Sequence, residues 1–193
     1  MQKQYDEAII RKTEAEKQLG QYDLVQILLQ KTSDYARQQA KTRIEAIVSE
    51  ALNVVYGGNH HFVIDLVVRS NRPEADYYLS CDGVVTQLKP PDYGRGGGKI
   101  DVITLALRLA ITEILQIPGP LFLDEVGKHI DKIEDGDNTA IENLAYFLQQ
   151  YSHQFGRQII LITHNDTLAS IGDKGLRVVK KINKAEVKPY EIN

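Results

Sequence analysis

The sequence has a single cysteine and no long apolar run, and each shortage excludes a class of protein. Cys81 alone cannot form an internal disulfide or a cysteine metal cluster, which predicts an intracellular protein. No apolar stretch approaches the roughly 20 residues that a membrane-spanning helix needs. The first residues are polar and charged, unlike a signal peptide. The net charge of −3 gives no general attraction to nucleic acid, so any such contact must be local.

What is present is enough for one core and an extension. The 193 residues are 42% hydrophobic and 25% charged, a composition typical of a globular domain. We expect residues 1–55 to form a helical arm, because they contain no proline and only Gly20 interrupts them. Residues 56–193 then form an α/β lobe.

The arm carries a seam of apolar residues at alternating steps of three and four. This spacing predicts the end of a coiled coil, or alternatively an amphipathic helix lying on the lobe. The apolar positions of the seam are Tyr5, Ala8, Ala15, Leu19, Tyr22 and Leu29, and Lys12 and Gln26 are its polar members. A second one-sided helix is expected from Asp34 and ends at Gly57 and Gly58.

Short strand patterns lie on both sides of a more helical middle region. Strands are expected over 61–69, 77–81 and 84–86, and a closing strand or hairpin over 176–182 and 187–192. The closing segment is the most basic part of the chain. Its cations protect a sheet edge or contact DNA: Lys174, Arg177, Lys180, Lys181, Lys184 and Lys188.

An Asp-Glu pair follows an apolar run. Leu121 to Leu123 reads as a buried parallel strand, whose carboxyl end delivers Asp124 and Glu125 to the crevice where open α/β sheets bind ligands. Phosphoanhydride hydrolysis needs a Mg²⁺ held by oxygen ligands and a group that positions the attacking water. Asp124 fits the metal role and Glu125 the water role. The alternative is a strand that ends in a solvated turn.

A histidine stands at the end of the next apolar strand. His164 follows residues 159–163, and a helix separates this strand from the one before Glu125. The βαβ rule places the two strands parallel and close together, so both tips face one edge. His164 is then a candidate contact to a terminal phosphate and the attacking water. A core or surface histidine without such a role is the alternative.

A glycine turn over residues 94–99 permits two interpretations. As a phosphate-binding P-loop it fails, since its spacing is one residue short and Ile100 replaces the Ser or Thr that ligates Mg²⁺. The other interpretation is a glycine turn at a helix N-terminus, where backbone amides and the helix dipole hold a phosphate.

In order and spacing, these elements resemble the later half of an ABC-type ATPase head of the SMC and SbcC-like DNA-repair family, over residues 94–170. Segment 96–110 is similar to the signature helix of that family, with Gly96 at the usual Ser and Lys99 at a frequent acid or Gln. The resemblance implies that Gly96, Gly97, Gly98 and Lys99 contact the terminal phosphate of ATP bound by the opposite subunit. Gly127 to Asp131 resembles the D-loop, closed by Asp131. Lys128 and His129 resemble the phage-encoded branch.

The resemblance also implies the rest of the assembly. It implies a C-terminal head lobe, with a mostly parallel sheet flanked by helices and the end of a coiled coil. Hydrolysis of ATP with Mg²⁺ then requires a P-loop-bearing N-terminal lobe from the same or a separate chain, and this chain alone is inactive. Expected partners are a second head, DNA and an SbcD-type nuclease, in repair or recombination, with no membrane. The expected location is the cytoplasm, that of the host if the chain is phage-encoded. The alternative function is a non-catalytic ABC-like scaffold for dimerisation or DNA binding.

Overall fold

The computed structural model describes residues 2–70, 72–89, 96–130, 139–182 and 184–190. The chain has an α/β fold with a long N-terminal helix, as expected. Its elements in chain order are α1 Gln2–Tyr56, β1 His60–Arg69, β2 Arg72–Cys81, β3 Val84–Gln87, α2 Gly97–Ile114, β4 Leu121–Asp124, α3 Thr139–Phe155, β5 Ile159–Ile162, α4 Asp166–Ser170, β6 Gly175–Lys181 and β7 Lys184–Tyr190. Two compact units divide the chain, Met1–Thr42 and Arg43–Asn193.

The first unit is helical throughout. Helix α1 is continuous, so the separate helix expected from Asp34 was wrong: no proline breaks the backbone, and Gly20 has open space around it. The large apolar side chains of this unit are exposed, as in one strand of a coiled coil without its partner: Tyr5, Ile9, Ile10, Leu19, Tyr22, Leu24, Val25, Ile27, Leu28, Leu29 and Tyr35. Within the part of the chain that the structure describes, no helix is both long and apolar enough to cross a membrane.

In the second unit, the last turns of α1, residues 43–56, cover the edge of strand β1. We call this segment the root of α1. Three of its side chains accept hydrogen bonds from alternate backbone N–H groups of β1: Glu45 from Ile64 at 2.7 Å, Ser49 from Phe62 at 2.9 Å and Asn53 from His60 at 2.7 Å. Four helical residues rise about 6 Å and two strand residues about 6.7 Å, so the two periods match. This polar ladder satisfies a strand edge that would otherwise be open.

Three small sheets follow from the connections. Strands β1, β2 and β3 are antiparallel and joined by tight turns, whereas β4 and β5 are parallel and joined through α3. Strands β6 and β7 form the expected hairpin. The expectation of a mostly parallel sheet therefore needs correction: among the described strands only β4 and β5 pair in parallel, because the two-residue connections between the other neighbouring strands permit only antiparallel pairing.

Among the described residues, one apolar core joins the root of α1 to the β1–β2–β3 sheet and the β4–β5 sheet. Its fully buried large side chains come from α1, β1, β2, α2, β4, α3 and α4: Leu52, Phe62, Leu79, Leu109, Leu123, Leu144 and Leu168. The alternation of strand β4 buries Leu121 and Leu123 on one face and leaves Phe122 exposed on the other. The core thus fixes β4, and with it the Asp-Glu pair at its end.

The start of β4 is held by a semi-buried polar group. Arg157 donates to the carbonyls of Ile117 and Gly119, at 2.8 and 2.9 Å, and pairs with Glu113 at 2.9 Å. Tyr151 donates its hydroxyl to the same Glu113 carboxylate. Burial, together with that carboxylate, raises the pKa of the Tyr151 phenol, which therefore stays protonated as a donor. These bonds fix the connection between α2 and β4.

Candidate active site

The candidate site begins where the parallel strands end. Asp124 pairs with Ile162 in the last position of the β4–β5 register, and the next N–H, that of Glu125, donates to the Ile162 carbonyl at 2.9 Å. Glu125 has a φ of +48°, which is uncommon for a residue with a side chain. The extra hydrogen bond holds this conformation. Asp124 is exposed and Glu125 is half-buried, so both carboxylates are accessible at the sheet edge.

The histidine predicted at the second strand end does lie beside this pair. His164 Nε2 is 3.1 Å from Glu125 Oε1, and Lys128 Nζ is 3.8 Å from Glu125 Oε2. The His164 side chain is 89% exposed, so a ligand can reach it without rearranging the core. The Glu125 carboxylate is able to accept a proton from water, and the single N–H of a neutral His164 imidazole donates either to this carboxylate or to an anion. Lys128 adds a cation to which the sequence analysis assigned no role in the site.

An open cleft of about 220 Å³ lies between α2 and the end of β4. Asp124 and Glu125 line it, together with three polar residues of α2 that the sequence analysis missed: Asp101, Thr104 and Arg108. Their spacing of three and four residues marks one polar face on an otherwise apolar helix. That pattern is visible in the sequence and is the signal that would have identified them.

The oxygen donors of this cleft fit Mg²⁺. Carboxylates are the protein ligands that this ion prefers, and it retains several waters or substrate oxygens. No cluster of three metal-ligating side chains occurs within the described ranges. The residues present therefore suit an ion held by Asp124, with waters and phosphate oxygens completing its shell, and not an ion enclosed by protein groups.

The glycine turn stands at the start of α2, and its three glycines differ. Gly96 caps the helix with φ +75° and ψ 149°, a conformation that side chains disfavour, and no side chain caps the helix. A Cβ on Gly97 would lie 2.9 Å from the His129 Cβ. A Cβ on Gly98 would lie 2.7 Å from the Tyr56 hydroxyl and 2.8 Å from the His129 carbonyl oxygen. The turn therefore packs closely against its own chain at Gly97 and Gly98.

Lys99 also faces its own lobe. Its ammonium lies 3.7 Å from Cys81 Sγ and 5.7 Å from the centre of the Tyr56 ring. Residues 96–99 do not line the cleft that holds Asp124 and Glu125. The structure thus brings together Asp124, Glu125 and His164, and it leaves the glycine turn separate from them within one chain.

Asp101 ties the glycine-turn helix to the loop that follows Glu125. Its carboxylate accepts from the His129 backbone N–H at 3.1 Å and lies 3.1 Å from His129 Nδ1. The expected D-loop is therefore connected to α2 at His129. Asp131, the residue expected to close that loop, lies outside the described residues.

Comparisons with solved structures place this fold among SMC ATPase heads. The Smc head domain with a coiled coil and joint from Pyrococcus yayanosii matches at 20% identity and a TM-score of 0.67, over 94% of this chain and 33% of that one. The SmcHead bound to the C-winged helix domain of ScpA matches at 20% identity and a TM-score of 0.62, over 84% and 46%. A structure concerned with ATP-driven dimerization and DNA-stimulated activation of SMC ATPases matches at 18% and 0.59, over 82% and 89%.

The fold, an α/β lobe with a long N-terminal helix, is thus similar to that of SMC head domains with a coiled coil. The chain spans between a third and a half of the length of the first two structures. No family model matches the sequence, and no curated protein matches it significantly.

Proposed function

We propose that this chain is the C-terminal lobe of an SbcC-like ATPase head that couples ATP binding and hydrolysis to head dimerisation and DNA processing. The observation that carries the proposal is the meeting of Asp124, Glu125 and His164 at the carboxyl edge of a parallel strand pair, with His164 Nε2 3.1 Å from Glu125 Oε1. This edge is where open α/β sheets bind ligands. The SMC-like fold supports the same class of chemistry.

An incomplete sheet supports a second, P-loop-bearing lobe. Parallel strands are ordinarily covered on both faces. Here one face of β4 and β5 is exposed and apolar, with Phe122 at 60%, Ile160 at 37% and Ile162 at 59% exposure. Within the described residues, this parallel strand pair is therefore covered on one face only. The missing lobe, in the same or a separate chain, would cover this face and hold the triphosphate and adenine.

The roles of the residues follow from their positions. Asp124 would hold Mg²⁺, and the bound ion would neutralise charge on the phosphate oxygens. Glu125 accepts a hydrogen bond from the attacking water and orients it or takes its proton. His164 donates toward the terminal phosphate. Arg108, on the polar face of α2, places a fixed positive charge in the cleft that Asp124 and Glu125 line.

In the dimer, the glycine turn of this chain contacts the ATP that is bound by the other head. Its first-turn amides have no partner within helix α2, which is the arrangement that binds phosphate at helix N-termini. We assign Gly96, Gly97 and Gly98 to the terminal phosphate of ATP in the opposite subunit, with Lys99 as a neighbouring cation. Asp131 closes the D-loop in this assignment.

The wider context of the proposal rests on the SbcC-like resemblance. It comprises DNA as substrate, a role in repair or recombination, an SbcD-type nuclease partner, and action in the cytoplasm, of the host if the chain is phage-encoded. The exposed seam of α1 provides a surface for the other strand of a coiled coil.

Glu125→Gln in the natural assembly that includes the P-loop lobe tests the catalytic role. We expect ATP hydrolysis to fall by about 10²-fold or more, while the ATP-bound dimer persists, because Asp124 still holds the metal. Phosphate release and sedimentation with and without ATP measure the two effects. Glu50→Gln, on an exposed position of α1, is the matched control.

Two results would contradict the proposal. Hydrolysis at the wild-type rate in Glu125→Gln would remove Glu125 from the reaction. A wild-type assembly that dimerises or binds DNA without any hydrolysis would favour the non-catalytic scaffold. Calorimetry of this chain alone with Mg-ATP should show no tight binding, since no segment has the P-loop spacing.

A further inference from the structure

The root of α1 ends directly beside the glycine turn. Tyr56 is the last residue of α1, and Gly57 ends the helix with φ +68°. The Tyr56 hydroxyl lies where a side chain on Gly98 would point, 2.7 Å from the position of an ideal Cβ. The Lys99 ammonium lies over the same ring at 5.7 Å. Two consecutive residues of the turn therefore rest on one side chain of the helix.

The opposite side of the turn is closed as well. Gly97 lies against His129, and Asp101 holds His129 through two contacts of 3.1 Å. The turn is thus confined between Tyr56 and the loop after Glu125. There is no room for a side chain between the turn and either wall, so a displacement of a wall alters the contacts that hold the turn.

The root itself has one position along β1. The polar ladder fixes it through three hydrogen bonds, and Asn143 of α3 donates to the Val55 carbonyl at 3.2 Å. A slip of one residue along the helix would shift Tyr56 by about 1.5 Å and break the ladder. The position of Tyr56 therefore depends directly on the register of the root against β1.

We propose that Tyr56 is a positioning residue, through which the root of α1 sets the conformation of the glycine turn. A change in the register of the root moves the phenol, and the phenol moves Gly98 and Lys99. The consequence for ATP rests on the proposed function, which assigns this turn to a phosphate. The coupling itself is a property of this chain and needs no nucleotide.

Amide hydrogen exchange of the full chain tests the positioning. The reporters are the amides of residues 101–103, which in an α-helix donate to the carbonyls of Gly97, Gly98 and Lys99. We expect their exchange to rise about tenfold in Tyr56→Leu and about threefold in Tyr56→Phe, with α3 and β1 unchanged. Tyr146→Leu, at an exposed position of α3, is the control and should change nothing at α2.

A purely structural role of Tyr56 predicts a different pattern, since lost global stability accelerates exchange in every element together. Such a uniform rise, or no rise at 101–103 in a folded variant, would overturn the proposal. Should Tyr56→Leu not fold, Tyr56→Phe decides, because it retains the ring.

The coupling to the root has its own test. Asn53→Ala removes one rung of the ladder, and we expect it to accelerate exchange at 101–103 in the wild-type background. In the Tyr56→Leu background it should add nothing further, since the connection is already lost. Equal effects of Asn53→Ala in both backgrounds, or none in either, would refute the coupling. These outcomes do not depend on ATP, so they are separable from the fate of the proposed ATPase function.

Discussion

Gly98→Ala has two opposing effects on the free energy of unfolding: alanine favours the helix, but its methyl group has no room. Alanine stabilises a helix by up to about 1 kcal/mol relative to glycine. Here the new methyl would lie 2.7 Å from the Tyr56 hydroxyl, 2.8 Å from the His129 carbonyl oxygen and 3.1 Å from the Ile130 Cα. The last two of these are backbone atoms, which can move only with their loop. Overpacking of this kind costs about 2–3 kcal/mol, so the net loss of stability is about 1–2 kcal/mol.

Thermal unfolding followed by circular dichroism measures this loss. For a domain of this size, we expect Gly98→Ala to lower the Tm by about 2–8 °C. Gly172→Ala is the matched control, since its nearest neighbour, the Lys174 carbonyl oxygen, would lie at an ordinary 3.5 Å. That control should be neutral or slightly stabilising. If Gly98→Ala melted at or above the wild-type temperature, the close packing of the turn would be refuted, and the glycine would be free for a ligand alone.

Two further predictions concern other surfaces. Phe122→Ser should leave the Tm of this chain nearly unchanged yet weaken its association with the P-loop lobe, measured by copurification. Tyr146→Ser is the control and should not weaken this association, since Tyr146 is 56% exposed and Phe122 60%. If both variants retained the P-loop lobe equally well, the exposed face of β4 and β5 would be excluded as its binding surface. Hydrogen bonds from Arg69 hold the pKa of Asp76 in the folded chain below its ordinary 3.8. The Arg69–Asp76 pair therefore stabilises the fold above pH 3.8, and this stabilisation is lost as the pH falls through the lowered pKa of Asp76. In Asp76→Asn, the midpoint of urea unfolding should depend less on pH across that acid range. If this pH dependence were the same as in the wild type, the ion pair would not be its source.

The part of the site that the sequence predicted depends on short-range rules. Residues 121–125 and 159–164 are apolar strands followed by polar tips, and a connecting helix requires them to be parallel neighbours. Those two facts bring Glu125 and His164 together without any knowledge of the remaining fold. Their roles in catalysis stay predictions, because the same geometry follows from topology alone.

Other features could not be predicted, because they depend on contacts between distant segments. The polar ladder joins α1 to β1 through side chains whose spacing, four residues, matches any helix face. Helix α1 continues through Asp34 because a change in the apolar seam alters packing and not the backbone. Among the described strands only β4 and β5 pair in parallel, because the other neighbouring strands are joined by connections of two residues.

The glycine turn shows that a run of glycines in the sequence does not reveal why each position requires glycine. A run of glycines permits close approach, yet the approaching group differs along the run. At Gly97 and Gly98 the space is filled by Tyr56 and His129, so substitution there changes folding. At Gly96 nothing lies within 4 Å of a Cβ, and the requirement is the backbone, at φ +75° and ψ 149°. A serine at that position would need another conformation, so its absence reflects the shape of this turn and does not by itself indicate lost chemistry.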